Sequence, residues 1–153
     1  MAFRGRWMMR LLSLYPPYLG AGIRVKASPD LRTFTVRMKL RWWSRNYVGT
    51  QFGGSLYSMC DPFFMLILAD SLGRRYVVWD KAATIRFLRP GRGTVHATFH
   101  IPLVEIEEIR AAADAGRKVE PTFKAEVLDD AGEVVAEVEK LLYVRLAKPR
   151  NDR

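Results

Sequence analysis

Length, composition and charge restrict what this chain can be. Its 153 residues fit a single domain, and 49% hydrophobic with 27% charged residues is the balance of a globular protein, not of a disordered or fibrous one. The single cysteine, Cys60, excludes an internal disulfide and a thiolate metal cluster, and it favours a cytoplasmic location. The net charge of +9 favours anionic partners: nucleic acid, anionic lipid or a phosphate-bearing ligand.

The first forty residues predict a helix followed by two strands. Apolar residues at helical spacing, with arginines between them, predict an amphipathic helix over 3–14, which Pro16 and Pro17 are expected to end. Alternating apolar and polar residues then predict strands over 23–26 and 31–40, joined by a turn at 28–30.

The middle of the chain predicts a buried helix. From Gly53 to Ala69 the segment is apolar on every side, which is typical of a helix inside a core. Its longest apolar run, 62–69, has eight residues, far short of the roughly 20 that span a bilayer, so no integral membrane segment is expected.

The second half predicts strands with one helix between them. Strands over 76–88 and 94–101 are expected to form a hairpin, residues 103–115 a surface helix, and 122–128 with 133–145 a final hairpin. We therefore predict one α+β domain, residues 1–147, with an antiparallel sheet wrapped around the central helix and a flexible basic tail at 148–153. A partner subunit is expected to complete the cover of that helix.

Two glycines at the start of the central helix are the first candidates for chemistry. Gly53 and Gly54 carry no side chain that would block a ligand, so their amides are free to donate hydrogen bonds to a carbonyl oxygen. The alternative is a tight loop packed closely on a neighbouring strand.

Asp61 is the second candidate, because an acid within an apolar segment is costly to bury unless it is paired or functional. Such a carboxylate suits a group that must accept a proton. The alternative is that Asp61 and Pro62 form the N-cap and first turn of a new helical segment. The two interpretations are compatible, because Pro62 would kink a continuous helix and turn the acid toward a cleft.

Other candidates carry less weight. His96 and His100 share one strand face but have no third ligand, so no metal site is expected. Asp80 and Lys81 form either an ion pair near a cleft or an exposed turn. Arg89, with the neighbouring Arg86 and Arg92, either binds phosphate or belongs to a solvated face.

These residues together resemble the hotdog-fold acyl-CoA thioesterases of the phenylacetate-pathway type, and more closely the DUF4442 branch of that superfamily. The resemblance covers nearly the whole chain. It rests on Asn46, on Gly53 and Gly54, on Asp61 at the family's spacing, and on the strand segment from Trp79 to Pro90.

The resemblance implies an acyl-CoA hydrolase that is a homodimer or a dimer of dimers. A glycine amide, from Gly53 or Gly54, would polarise the thioester carbonyl, and Asp61 of the opposite subunit would activate water or attack directly. Asn46 would help to position the water or the acid. Asp80 falls near a Ser or Thr that assists the water in relatives. Coenzyme A would enter only as part of the substrate, with no separate cofactor.

One departure from the family pattern matters. Many relatives have His where this chain has Phe52, so the imidazole contact to the thioester is missing and Gln51 is the residue placed to compensate. The acyl group is expected to lie along Phe63, Phe64 and Met65. Besides hydrolysis, two alternatives stay open: a non-catalytic acyl-CoA or fatty-acid binder, and a basic module that docks on anionic membrane or nucleic acid. Of the anionic partners, nucleic acid is not the one expected.

Overall fold

The structure, a computed structural model, describes residues 11–147. Four α-helices and six strands follow one another along these described residues. The helices are α1 (Pro16–Ala21), α2 (Gly53–Ser58), α3 (Phe63–Leu72) and α4 (Leu103–Asp114), and the strands are β1 (Ile23–Ala27), β2 (Thr33–Lys39), β3 (Tyr76–Phe87), β4 (Thr94–His100), β5 (Thr122–Asp129) and β6 (Val134–Leu146).

All six strands form one antiparallel sheet in the order β1-β2-β4-β5-β6-β3, so β1 and β3 are its edges. The β1–β2 and β5–β6 hairpins are confirmed. In β2, Phe34, Val36 and Met38 are buried while the residues between them are not, which is the alternation of a strand with one face on a core.

The predicted hairpin between β3 and β4 is wrong. β3 pairs with β6, and β4 lies between β2 and β5. The connecting segment does not turn back, because its hydrogen bonds go elsewhere: the amides of Leu88 and Arg89 donate to Val135 O, and Gly91 O and Gly93 O accept from the amides of Gln51 and Leu40. The segment therefore crosses to another part of the sheet.

Helix α3 is the central helix, and its apolar side chains pack on the sheet. Phe63 lies between Phe34 and Phe99, with ring centroids 5.3 and 4.9 Å away, and Phe64 stacks on Phe123 at 5.1 Å. All five rings are buried. A curled antiparallel sheet around this helix is the predicted α+β hotdog fold.

The central helix is interrupted rather than continuous over 53–69. α2 ends at Ser58, and α3 begins at Phe63 after a cis peptide bond between Asp61 and Pro62. The break at Pro62 is as predicted, but the capping role of Asp61 is wrong: Pro62 holds the N-cap position, with no side-chain cap hydrogen bond. The Asp61 carboxylate has a different partner.

The start of the described chain also differs from the prediction. Most of the predicted helix 3–14 lies outside the described residues, as does the tail 148–153; Leu12–Leu14 form a short 3-10 helix. Pro16 and Pro17 begin α1 instead of ending a helix, because proline fits the first turn, where its missing N–H has no intrahelical partner to lose. None of the described helices is long and apolar enough to cross a membrane.

Candidate active site

Asn46 closes the loop that leads into α2. Its Nδ2 donates to Thr50 Oγ1 at 2.9 Å and to Gln51 O at 3.2 Å, while its Oδ1 accepts from the amides of Val48 and Thr50. These four bonds hold the loop in one conformation. Asn46 therefore positions the backbone before Gly53, and its side chain makes no contact with the Asp61 carboxylate.

Gln51 anchors the same loop to the sheet. Its side chain is buried, and Nε2 donates to Met38 O at 3.3 Å and to Gly93 O at 3.1 Å. Its Oε1 is buried without a hydrogen-bond partner among residues 11–147. A buried acceptor without a partner destabilises a fold by about 1–3 kcal/mol, so Gln51 Oε1 makes this loop conformation less stable.

The amides of Gly53 and Gly54 open α2 and donate no hydrogen bond to any of the described residues. Aromatic rings lie close to both glycines. A Cβ at Gly53 would be 3.1 Å from Phe87 Cζ, and one at Gly54 would be 2.5 Å from Phe52 Cε1. Close packing against these rings is therefore sufficient to explain why both positions are glycine, while the two amides are free to donate hydrogen bonds.

A cavity of about 440 Å³ brings four of the predicted site residues together: Asn46, Gln51, Gly53 and Arg89 line it. Arg89 also forms an ion pair with Glu133. Phe52 and Gly54 line a second cavity, of about 430 Å³, together with Trp43. Asp61 lines neither cavity.

Asp61 belongs to a separate cluster centred on Lys140. Lys140 Nζ lies 2.5 Å from Asp61 Oδ1, 3.2 Å from Asp80 Oδ2 and 3.2 Å from the Tyr57 hydroxyl, and it lies 5.3 Å from the centroid of the Tyr57 ring. Lys140 is 1% exposed, whereas the side chain of Asp61 is 41% exposed in the single chain. A buried cation therefore holds two carboxylates at the point where the central helix breaks.

The charges of the cluster shift the pKa values of its members. Burial opposes the charge of Lys140, but its hydrogen bond to Asp61 and the nearby carboxylates outweigh burial and raise the Lys140 pKa, so Lys140 stays a cation. Burial, with the nearby Asp61 charge, raises the pKa of Asp80, although Lys140 works against this rise. Asp80 Oδ1 is buried with no hydrogen-bond partner among the described residues.

Sequence reasoning missed Lys140 as a site residue, although the strand pattern contains the signal. In β6 the side chains of Val138, Lys140, Leu142 and Val144 face the core. A lysine at an inward position of an alternating strand requires an acidic or hydrogen-bonding partner. The fold determines which acid is the partner of this lysine.

Among the weaker candidates, Asp80 belongs to the Lys140 cluster and the others have ordinary surroundings. Asp80 and Lys81 are not paired with each other and form no exposed turn: both lie in β3, and Lys81 pairs with Glu120 at 2.7 Å. Cys60 is buried, and burial raises its thiol pKa to about 12. His100 Nδ1 lies 2.8 Å from Thr33 Oγ1. Within residues 11–147 no group of three or more His, Cys, Asp or Glu residues could hold a metal ion.

The predicted acyl-binding residues differ in their surroundings. Phe64 is 2% exposed, between Phe99 and Phe123, so core packing accounts for its position without a ligand. Met65 is half-buried against the same core. Phe52 is 55% exposed beside Gly54, and it is the more accessible apolar side chain at the site.

Solved structures share this fold at low sequence identity. A Pseudomonas aeruginosa protein of unknown function, described as a probable thioesterase, is 22% identical with a TM-score of 0.82, over 93% of this chain and 95% of that one. A Haemophilus influenzae thioesterase is 16% identical (TM-score 0.67; 93% and 91%). The Escherichia coli PaaI protein from the phenylacetic acid degradation operon is 17% identical (TM-score 0.61; 96% and 94%).

No curated protein matches the sequence. The model of one family, described as a domain of unknown function, DUF4442, matches residues 5–144, which is nearly the whole chain. The chain therefore belongs to the DUF4442 family, and its curled sheet around a central helix is the hotdog fold that it shares with these solved structures.

Proposed function

We propose that the protein hydrolyses acyl-thioesters, with acyl-CoA as the substrate. The observation that carries this proposal is the carboxylate of Asp61, partly exposed at a helix break and held by the buried Lys140. The names of the structural neighbours, among them a probable thioesterase from Pseudomonas aeruginosa and a thioesterase from Haemophilus influenzae, support the same reaction class.

In the proposed reaction, water attacks the thioester carbonyl carbon and passes a proton to Asp61. The amides of Gly53 and Gly54 donate hydrogen bonds to the oxyanion that forms. One donor of this kind is typically worth about 3 kcal/mol when water is excluded. The C–S bond then breaks, and the leaving thiolate takes the proton back from Asp61, so that a carboxylic acid and a thiol result.

We infer that the amides of Gly53 and Gly54 from one copy and the Asp61 carboxylate from another meet across a subunit boundary. Within one chain, Gly53 lines a cavity that Asp61 does not reach, so an acid for that cavity has to come from another copy. Strand β3 offers the contact: it is a twelve-residue sheet edge on which Trp79 and Phe87 are more than half exposed. A long apolar edge strand is a natural site for pairing with a second chain. We therefore propose a homodimer paired through β3, or a dimer of such dimers.

Binding without hydrolysis is the second candidate function. Asp61 Oδ1 is engaged by Lys140, and Phe52 offers no imidazole to the thioester. Both features favour a protein that holds acyl-CoA or a fatty acid without turning it over.

Substitution of Asp61 tests the proposal. With a panel of acyl-CoAs, Asp61→Asn is expected to lower kcat/KM by about 10²–10⁴-fold, the usual contribution of a positioned acid or base. Asp70→Asn, which changes the other carboxylate of this segment, is the matched control and should stay within twofold of wild type. Hydrolysis that survives in Asp61→Asn would remove Asp61 from the mechanism, and acyl-CoA binding in a wild-type protein that shows no turnover would select the second function.

A further inference from the structure

The net charge of this protein is concentrated at one end of its sequence. Residues 1–60 contain ten Lys and Arg side chains with Asp30 as their only acid, and residues 61–153 contain fifteen basic and fifteen acidic side chains. The whole excess of +9 therefore belongs to the first sixty residues. Asp30 itself pairs with Arg32 at 2.8 Å, so it neutralises none of the others.

The fold gathers four of these cations on the outside of β1 and β2. Arg24, Arg37, Lys39 and Arg41 line a groove of about 530 Å³, which we call the basic face. All four are exposed, and none forms an ion pair with another residue in 11–147. Arg24 lies directly opposite Arg37 in the β1–β2 ladder, where like charges destabilise a sheet. An anion bound at this face would relieve that repulsion.

Apolar side chains border the basic face. Leu19 and Trp43 line the same groove, and Trp42 packs against Trp43 with ring centroids 5.5 Å apart. Their exposed fractions are 45%, 52% and 78%. Basic side chains next to exposed indoles and a leucine are the composition of surfaces that lie at a membrane interface, where indole rings reach the headgroup level.

We propose that the basic face docks on the surface of a bilayer that contains anionic phospholipids. Arg24, Arg37, Lys39 and Arg41 attract the headgroups, while Trp42, Trp43 and Leu19 enter the interfacial layer. This inference does not depend on the proposed hydrolysis. β1 and β3 are opposite edges of the sheet, so pairing through β3 leaves the basic face open.

Two other occupants fit this face less well. A second copy in a twofold contact would place cations against cations, which repel each other. A single-stranded nucleic acid would need open aromatic rings for base stacking. This face has one largely open ring, Trp42, because the Trp43 ring contacts Trp42 and the guanidinium of Arg41, 5.3 Å from its centroid. Leu19 offers no stacking surface, so successive bases would find no series of rings.

Vesicle sedimentation tests this proposal. The full chain should sediment with phosphatidylcholine vesicles that contain about one third phosphatidylserine, and not with pure phosphatidylcholine vesicles. Each basic residue near an anionic surface strengthens binding about fivefold, so Arg37→Gln with Lys39→Gln should weaken it about 25-fold. Trp42→Ala should weaken binding while leaving the charge unchanged.

The control variant removes the same amount of charge elsewhere. Arg117→Gln with Lys118→Gln changes two exposed cations in the segment between α4 and β5, and it should bind within threefold of wild type. Equal loss of binding in both double variants would show attraction by net charge alone and overturn the proposal. So would wild-type protein that binds neither vesicle, or one that binds a single-stranded oligonucleotide more tightly than the anionic vesicles.

Discussion

Lys140 changes how the candidate acid is understood. Asp61 was predictable from sequence as an acid in an apolar segment, but its partner comes from a strand 79 residues further along the chain. No local pattern links the two residues, because they meet only where the helix break lies against β6. Gly53 and Gly54 were likewise predictable as amide donors, whereas the rings of Phe87 and Phe52 beside them were not.

Removal of Lys140 should affect both stability and activity. Lys140→Met leaves Asp61 and Asp80 facing each other without their cation. Breaking a buried pair costs about 3–5 kcal/mol, and we expect about 3 because Asp61 is partly exposed. Lys140 lowers the pKa of Asp80, so its loss should raise that pKa further and move the acid limb of the kcat/KM profile to higher pH. Urea unfolding and a pH profile measure the two effects.

Lys124→Met is the matched control for this prediction. Lys124 also pairs with a carboxylate from a strand, Glu139 at 3.0 Å, but the pair is exposed. Its loss should cost less than about 1 kcal/mol and leave the pH profile unchanged. A Lys140→Met protein that is as stable and as active as the Lys124→Met protein would show that the buried cation has no role.

At the scale of elements, the sequence predicted which segments are helices and which are strands more accurately than it predicted which strands pair with each other. β5 and β6 follow one another through a tight turn, so alternation and turn residues are sufficient to predict their pairing. β3 and β4 are nearly as close in sequence, yet they do not pair, because residues 88–93 bond to β6, to the loop before α2 and to Leu40 just after β2. Short connections alone do not determine strand order in a sheet that wraps around a helix.

Charges on the β3 edge should prevent assembly. Ala82 and Ala83 are exposed near the middle of this strand, and Ala82→Glu with Ala83→Glu would bring acids of two copies together. We expect the dimer to dissociate at micromolar concentration in light scattering, with a folded monomer that has lost hydrolysis because the site needs both copies.

Ala111→Glu with Ala115→Glu adds the same charge on the exposed face of α4 and around its end, and it should leave the dimer intact. A wild-type protein that is monomeric, or a monomeric β3 variant that retains full activity, would contradict the proposed assembly.

At the scale of the whole molecule, the two sheet edges have different character. β3 is an apolar edge beside the candidate site, and β1 borders the basic face, so one copy has room for a partner subunit and for an anionic surface at once. The sequence was sufficient for the fold class and the family, because buried-helix and strand patterns extend along the whole chain. The proposed two-chain site could not be derived from one chain, because the free amides and Asp61 do not share a cavity within it.

A crystal structure with a non-hydrolysable acyl-CoA thioether or ketone analogue tests the central claim most directly. We predict that the analogue's carbonyl oxygen, or the position it would occupy, lies within hydrogen-bond reach of the Gly53 or Gly54 amide, with Asp61 of the second copy facing the carbonyl carbon. An analogue bound away from these amides, or an Asp61 carboxylate that points away from the bound carbonyl in both copies, would contradict it.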